Sequence, residues 1–210
     1  MSELNNLMEI GLRNCKECEQ IPMLGHLRHL KNLYLHGMSN VKSIGSSFYG
    51  IDKCSRSGNT ITIFPALERL ELVCMWKLTE WLEAELMPNA TDNRRLSQLV
   101  LVFPRLEYVK IIMCMQLESA PSHFRCLKEL EISQAHSELP LAKLPDDLHS
   151  LNALDILSIR DCPNLMAIPY PHESHDEQQL LLLGLSCLRE LSIHLPISDV
   201  KSNKATRRRF

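Results

Sequence analysis

The sequence predicts an α/β solenoid, a curved horseshoe with a parallel β-sheet on its concave face and irregular loops and short helices on its convex face. A motif with apolar residues at its first, fourth and sixth positions recurs seven times. Two stretches also repeat closely, residues 64–68 in 103–107 and residues 126–130 in 187–191. With 210 residues, 45% of them hydrophobic, the chain can bury a core along one array of repeats.

Each copy of the motif describes one short strand. Residues spaced by two point to the same side of a strand, so the fourth and sixth positions turn inward while the third, fifth and seventh turn outward. One strand cannot bury its own apolar face, and the copies must stack in parallel as a leucine-rich repeat solenoid. The first, fourth and sixth residues of the seven copies are Leu7, Ile10, Leu12; Leu30, Leu33, Leu35; Leu67, Leu70, Leu72; Leu106, Val109, Ile111; Leu127, Leu130, Ile132; Leu154, Leu157, Ile159; and Leu188, Leu191, Ile193.

The array is predicted to cover residues 4–196, with insertions at 39–63, 76–103 and 166–186. Half of the steps between opening leucines exceed the roughly 20 to 29 residues of a regular array, which is why insertions are needed. The first insertion is rich in glycine and serine and predicts a mobile loop. The basic residues of 197–210 predict a solvated, disordered tail.

The second insertion has two features of its own. Its apolar residues at helical spacing over 78–87 predict a short packed helix. Trp76 and Trp81 are predicted to seal an edge of the core. Leu99 and Leu101 fit the motif as well, which is compatible with an extra strand inside the insertion.

Charge and hydropathy exclude several classes of partner. A formal net charge of -2 provides no field that would attract nucleic acid. The longest apolar run, residues 180–183, is far shorter than the roughly 20 residues of a membrane span, and the start of the chain lacks the pattern of a signal peptide. The cysteines, spread unevenly without an export signal, are predicted to be reduced thiols. These points favour a cytoplasmic location, with a nuclear one left open.

The sequence predicts neither a catalytic site nor a metal site. Cys15, Cys114 and Cys162 occupy the ninth motif position, where a small buried group can bond to the backbone, so they are interpreted as structural rather than as zinc ligands. Residues 172–177 combine histidines and carboxylates, yet they lie in a polar insertion that nothing fixes. No serine or cysteine has flanking residues that would supply a base and an oxyanion donor. The sequence therefore predicts a binding module and not an enzyme.

The outward strand positions form the predicted binding surface. Parallel strands lie about 4.8 Å apart, so equivalent positions of successive copies line up in three columns. Glu71, Lys110 and Glu131 are predicted to be neighbours that pair with one another, while exposed aromatic and aliphatic residues among them indicate a contact patch for a protein partner. The residues predicted to contact that partner are Arg13, Asn32, Tyr34, His36, Arg69, Glu71, Val73, Tyr108, Lys110, Ile112, Glu129, Glu131 and Arg160.

Two stretches carry a resemblance to a known family. Residues 144–165 read LPDDLHSLNALDILSIRDCPNL and are followed by Ile168-Pro169, and the segment from 21 to 38 reads IPMLGHLRHLKNLYLHGM. From about 4 to 195 the chain resembles the leucine-rich repeats of plant intracellular nucleotide-binding leucine-rich repeat (NB-LRR) disease resistance proteins of the coiled-coil class. The last copy departs from the pattern, since Leu195-Pro196 stands where a cysteine and a proline usually follow.

The resemblance implies a module that senses a pathogen effector or a guarded host protein, or that inhibits the receptor's own nucleotide-binding domain. The chain contains no phosphate-binding loop of the form GxxxxGK(S/T). We therefore expect no cofactor in this chain, with ADP or ATP bound only by an upstream domain, and we expect the chain to be part of a larger receptor.

Three other functions stay open at the level of sequence. A substrate-recognition array of a ubiquitin-ligase adaptor would share the fold, although such arrays keep tighter repeat lengths. The ectodomain of a surface receptor kinase predicts a signal peptide and several glycosylation sequons, whereas the chain has one, at Asn89-Ala90-Thr91. An enzyme would depend on residues 172–177 alone.

Overall fold

The structure is a computed structural model that describes residues 6–50, 56–57, 60–84, 99–118, 120–121, 124–134, 151, 153–160, 188–194 and 206–209. Its main sheet has eight strands, numbered along the chain. In spatial order they are β1 (Glu9–Arg13), β2 (Asn32–His36), β6 (Arg69–Val73), β9 (Tyr108–Ile112), β10 (Glu129–Ser133), β11 (Ile156–Arg160), β12 (Glu190–His194) and β13 (Thr206–Arg209). The other elements are β3 (Ser43–Ile44), α1 (Ser46–Tyr49), β4 (Arg56–Ser57), β5 (Thr60–Ile63), β7 (Glu80–Trp81) and β8 (Leu99–Val102).

The first seven strands of the main sheet are parallel and pair residue for residue with their neighbours. Each strand comes from one copy of the motif and runs from its third to its seventh position. In β2, β6, β9 and β10 the fourth and sixth positions are buried and the other three are half-buried. This alternation confirms the predicted leucine-rich repeat solenoid.

The first copy is less well covered than the others. Ile10 and Leu12 of β1 are half-buried, and Leu7 and Met8 are 36% and 54% exposed. Among the described strands, only β2 pairs with β1. The inward positions of β1 therefore contact core on one side only.

The same backbone hydrogen bond follows five strands of the main sheet, β1, β2, β6, β9 and β10. The residue at the eighth motif position donates its amide to the seventh-position carbonyl of the next copy, as Asn14 does to His36 at 2.8 Å. The eighth-position residues with a positive φ are Asn14 (56°), Gly37 (69°), Cys74 (56°) and Met113 (53°). Glycine and asparagine tolerate this left-handed conformation best, so the turn strains the backbone at Cys74 and Met113.

The first two insertions stack on each other. β5 of the first insertion pairs in parallel with β8 of the second, from Thr60 beside Leu99 to Ile63 beside Val102. β3 pairs with β7 in the same direction, and β4 forms an antiparallel pair with β5. The extra strand suggested by the motif at Leu99 and Leu101 is thus β8.

Two expectations about these insertions are wrong for the described residues. The first insertion is not simply a mobile loop, because it contains α1 with Phe48 and Tyr49 buried. The second forms strand β7 where a helix was expected, and no residue from 78 to 84 is helical. The backbone of β3 offers hydrogen-bond partners there, as in the bond from the amide of Leu82 to the carbonyl of Ile44 at 2.8 Å.

Aromatic rings fill the core between the main sheet and the insertions. Phe64 and Phe103, which open the two matching Phe-Pro segments, stack with ring centroids 5.2 Å apart. Phe48 lies 4.8 Å from Phe64, and Phe124 lies 5.9 Å from Phe103. The residues of this aromatic cluster, all buried, are Phe48, Tyr49, Phe64, Trp81, Phe103 and Phe124.

Tyr49 ties the aromatic cluster to the second insertion. Its hydroxyl donates to the carbonyl of Leu82 at 2.8 Å and accepts a hydrogen bond from the indole nitrogen of Trp81 at 3.1 Å. Burial raises the pKa of Tyr49 far above its usual range, which keeps the donor protonated. Trp81 thus seals the core as predicted, whereas Trp76 is 40% exposed.

The end of the chain differs from the expected disordered tail at four positions. Residues 206–209 form β13, which pairs antiparallel with β12 and places Arg208 beside Leu191. Without β13, the outer edge of β12 would have unpaired backbone amides and carbonyls, which explains why these residues form a strand. In the described part of the chain, no helix has the length and apolar character needed to cross a membrane.

Candidate protein-interaction surface

The concave surface is built by the register of the main sheet. Because the parallel strands pair without slippage, the third, fifth and seventh motif positions form three straight columns. The structure places every residue of the predicted binding surface in one of these columns. The fifth column, for example, runs through Gly11, Tyr34, Glu71, Lys110 and Glu131.

The centre of this surface is a network of paired charges. Glu71 on β6 receives a hydrogen bond from the Arg69 guanidinium at 3.0 Å. Its other carboxylate oxygen lies 3.4 Å from Nε2 of His36 on β2, without hydrogen-bond geometry. The Glu71 side chain is only 14% exposed. Its charge is therefore compensated by Arg69 on its own strand.

The network continues onto β9 and β10. The Arg69 guanidinium stacks 3.7 Å from the centroid of the Tyr108 ring, a cation–π contact. The Tyr108 hydroxyl donates to Glu131 at 3.1 Å, and Lys110 pairs with the same carboxylate at 3.1 Å. We call these residues the concave network: His36, Arg69, Glu71, Tyr108, Lys110 and Glu131.

Two members of the concave network have shifted acidities. Partial burial raises the pKa of Tyr108 above its usual range, and the hydrogen bond to Glu131 and the nearby carboxylates raise it further. Partial burial also acts to raise the pKa of Glu131, but hydrogen bonds from Lys110 and Tyr108 outweigh it and bring this pKa below the ordinary 4.5. Tyr108 is therefore a neutral donor and Glu131 an ionised acceptor at neutral pH.

The surface of β1 beside Tyr34 is open at Gly11. A Cβ at Gly11 would meet only Nε of Arg13, at 3.7 Å, so the position next to Tyr34 is open. The Tyr34 ring is half-buried and stands edge-on to His36, with centroids 6.0 Å apart. Glycine inside a strand often marks a place where another molecule approaches closely.

The other predicted contact residues surround this centre. Val73 and Ile112 are half-buried neighbours in the seventh column, an apolar pair beside the charges. Asn32 donates to Glu9 at 3.4 Å. Arg13 lies on the edge strand β1, Glu129 lies beside Tyr108 on β10, and Arg160 lies on β11.

Sequence reasoning missed a fourth column, formed by the second motif position. Its residues lie just before the strands, along one edge of the sheet, and join neighbouring copies through ion pairs. These pairs are Lys31 with Glu68 at 3.1 Å, Lys128 with Glu107 at 2.8 Å and Arg189 with Asp155 at 3.0 Å. The signal is present in the sequence, because opposite charges recur at this position.

The ninth-position cysteines differ in burial. The Cys114 thiol is fully buried and lies 3.6 Å from the carbonyl oxygens of Leu72 and Ile112. Burial raises the pKa of this thiol to about 12, which keeps it protonated as a donor. Cys15, in the less covered first copy, is half-buried with its sulfur 3.7 Å from the Arg13 carbonyl. Cys162 and the histidine-containing segment 172–177 lie outside the described residues.

A continuous parallel sheet with one buried leucine motif per strand defines this protein as a leucine-rich repeat solenoid. Comparison with known families agrees, since the family model for R13L1/DRL21 leucine-rich repeats matches residues 1–38. The chain is 27% identical over 219 aligned residues, 86% of its length, to the disease resistance RPP13-like protein 1 of Arabidopsis thaliana. It is 34% identical over 80 residues, 37% of its length, to a second disease resistance protein of that plant.

The chain is therefore a leucine-rich repeat solenoid that is similar to regions of plant disease resistance proteins. The aligned part of the chain spans 21% of the length of the first relative and 7% of the length of the second. No solved structure matches the chain.

Proposed function

We propose that the chain is a protein-interaction region that acts in plant defence, and that its concave face binds the partner. The partner is a pathogen effector, a host protein guarded by the receptor, or the receptor's own nucleotide-binding domain. Binding of the nucleotide-binding domain would maintain the closed state of the receptor. Binding of an effector or a host protein to the same surface would compete with that domain and release the closed state. The relatives named as disease resistance proteins support the biological setting.

The arrangement of the concave network supports a protein partner. Its charges of both signs already pair within the sheet and lie beside the half-buried aromatic and apolar side chains of Tyr34, Val73 and Ile112. Such a surface is typical of protein interfaces, which enrich tyrosine and arginine at their centres. A polyanion would favour a surface of one sign, whereas Glu71 and Glu131 would repel it.

The test is a matched pair of triple and double variants of the full chain. The concave variant is Tyr34→Ala, Tyr108→Ala and Lys110→Glu, and the control is Trp76→Ala with Leu82→Ala. The control residues are 40% and 48% exposed and lie off the concave face. Binding is measured by calorimetry against the separately produced nucleotide-binding domain of a coiled-coil-class receptor and against effectors that trigger that receptor.

We expect the concave variant to lose more than roughly tenfold in affinity, because it removes two aromatic anchors and reverses a central charge. The control should bind within about twofold of the unmodified chain. If the concave variant keeps full affinity for a partner that the chain binds, or if only the control loses it, the concave face is not the binding surface. Circular dichroism of both variants verifies that the fold is retained.

A further inference from the structure

A cavity of about 530 Å³ lies where the strands begin, away from the concave face. It is lined by residues that precede β1, β2, β6 and β9. Three lining residues are cationic, and none is aspartate or glutamate. The cationic residues are Arg28, Lys31 and Arg105.

The charge in this cavity is only partly compensated. Lys31 pairs with Glu68, but both side chains are more than 40% exposed, so solvent screens the pair. Arg105 is exposed and forms no ion pair with another described residue. The chain as a whole carries a net charge of -2. Arg105 is therefore a cation at this cavity that no described carboxylate neutralises.

The floor of the cavity is apolar. Pro65 and Ala66, from the turn before β6, lie between the segments that bear Arg28 and Arg105. Met8, which also lines the cavity, is 54% exposed. The site thus offers a small apolar surface with cations on its rim. These cations would repel a metal ion or a basic peptide.

We propose that this cavity binds an acidic peptide segment of a protein partner. Its carboxylates would pair with Arg28, Lys31 and Arg105, while an apolar side chain between them would rest on Pro65 and Ala66. A bidentate arginine–carboxylate pair is the geometry that guanidinium groups favour. This surface is separate from the concave face, so the inference does not depend on the function proposed above.

The surroundings favour a peptide over a phosphate-bearing ligand. Glu68 and Glu107 occupy the same edge of the sheet in neighbouring copies, where the Glu107 amide donates to the Glu68 carbonyl at 3.0 Å. A continuous phosphate backbone along this edge would be repelled by both carboxylates. A peptide can place its few charges over the cavity alone.

The experiment measures binding of a fluorescent peptide, acetyl-Glu-Glu-Leu-Glu-Glu-amide, to the full chain by anisotropy at low salt. The matched peptide has glutamine in place of every glutamate. The test variant is Arg28→Glu with Arg105→Glu, and the control is Arg125→Glu. Arg28 and Arg125 are both exposed and both stand two residues before an opening leucine, but only Arg28 lines the cavity.

We expect the test variant and the glutamine peptide each to weaken binding by roughly tenfold or more, and the control variant by less than about twofold. Arg105→Glu alone should weaken it about threefold, which keeps the test decisive if the double variant unfolds. Equal losses in test and control variants, or no detectable binding of the glutamate peptide at millimolar concentration, would overturn the proposal. So would displacement of the peptide by equimolar inorganic phosphate or a short DNA duplex, which would assign the site to phosphate groups instead.

Discussion

The concave network and the aromatic cluster lie on opposite sides of the same strands and contribute to the protein in different ways. The groups of the network are half-buried, and their ion pairs measure 3.0–3.1 Å. Solvent and salt weaken such pairs to about 1 kcal/mol or less each. The rings of the cluster are buried, and losing one costs several times more. Stability is therefore concentrated in the cluster, and the network can change without unfolding the protein.

The largest effect is expected for Phe103→Ala, which should lower the free energy of unfolding by about 4 kcal/mol. Phe103 is fully buried and contacts Phe64, Phe124 and Tyr49. Urea unfolding measures the loss, and Phe103→Leu, which keeps most of the volume, should lose clearly less. A loss below about 1 kcal/mol for alanine would show that the cluster does not carry the stability.

A smaller effect, about 1–2 kcal/mol, is expected for Tyr49→Phe. The substitution keeps the ring but leaves the Leu82 carbonyl and the Trp81 indole without their hydrogen-bond partner. Tyr34→Phe is the control, because the Tyr34 hydroxyl has no hydrogen-bond partner among the described residues. Thermal unfolding should separate the two variants, and equal melting temperatures would contradict the role given to the Tyr49 hydroxyl.

The third prediction concerns acid. Because the folded-state pKa of Glu131 lies below its ordinary value of 4.5, ionised Glu131 stabilises the fold above that value and loses this contribution as the pH falls through the folded pKa. Between pH ~6 and pH ~3 the unmodified chain should lose up to ~1 kcal/mol more stability than Glu131→Gln. Parallel pH profiles for the two proteins would show that Lys110 and Tyr108 do not stabilise the carboxylate.

The smallest effect is expected at the edge of the sheet. A double-mutant cycle on Lys31 and Glu68, both mostly solvated at 43% and 44% exposure, should yield a coupling energy of about 0.3 kcal/mol. The coupling should vanish in roughly 1 M salt, where the screening length is about 3 Å. A coupling above about 1.5 kcal/mol would mean that exposed pairs matter more to this fold than the comparison with the aromatic cluster suggests.

The main sheet could be predicted from sequence because its physics is local. A strand alternates its side chains with a period of two, so the spacing of Leu33 and Leu35, or of Leu70 and Leu72, is enough to assign the inward and outward positions. Repetition of that spacing then sets the register, and the columns follow from it. The pairing of Lys110 with Glu131 was predicted in this way and is present in the structure.

The rest depended on contacts between segments distant in sequence. The apolar residues around Trp81 fit a helix as well as a strand. They form strand β7 because they pair with the backbone of β3, which belongs to another insertion. The Phe64–Phe103 stack likewise joins two copies of the motif. Periodicity within one segment carries no information about such partners, because tertiary contacts override local preference.

The pairing of β5 with β8 and of β3 with β7 has a consequence for how such a gene can change. Deleting or exchanging the first inserted segment would strip β8 and β7 of their hydrogen-bonding neighbours. We therefore expect the two segments to be inherited as one unit, and a length change in either to persist only beside a compensating change in the other. Recombination between related genes should leave viable products when the crossover falls outside residues 39–102, and seldom when it separates the paired strands.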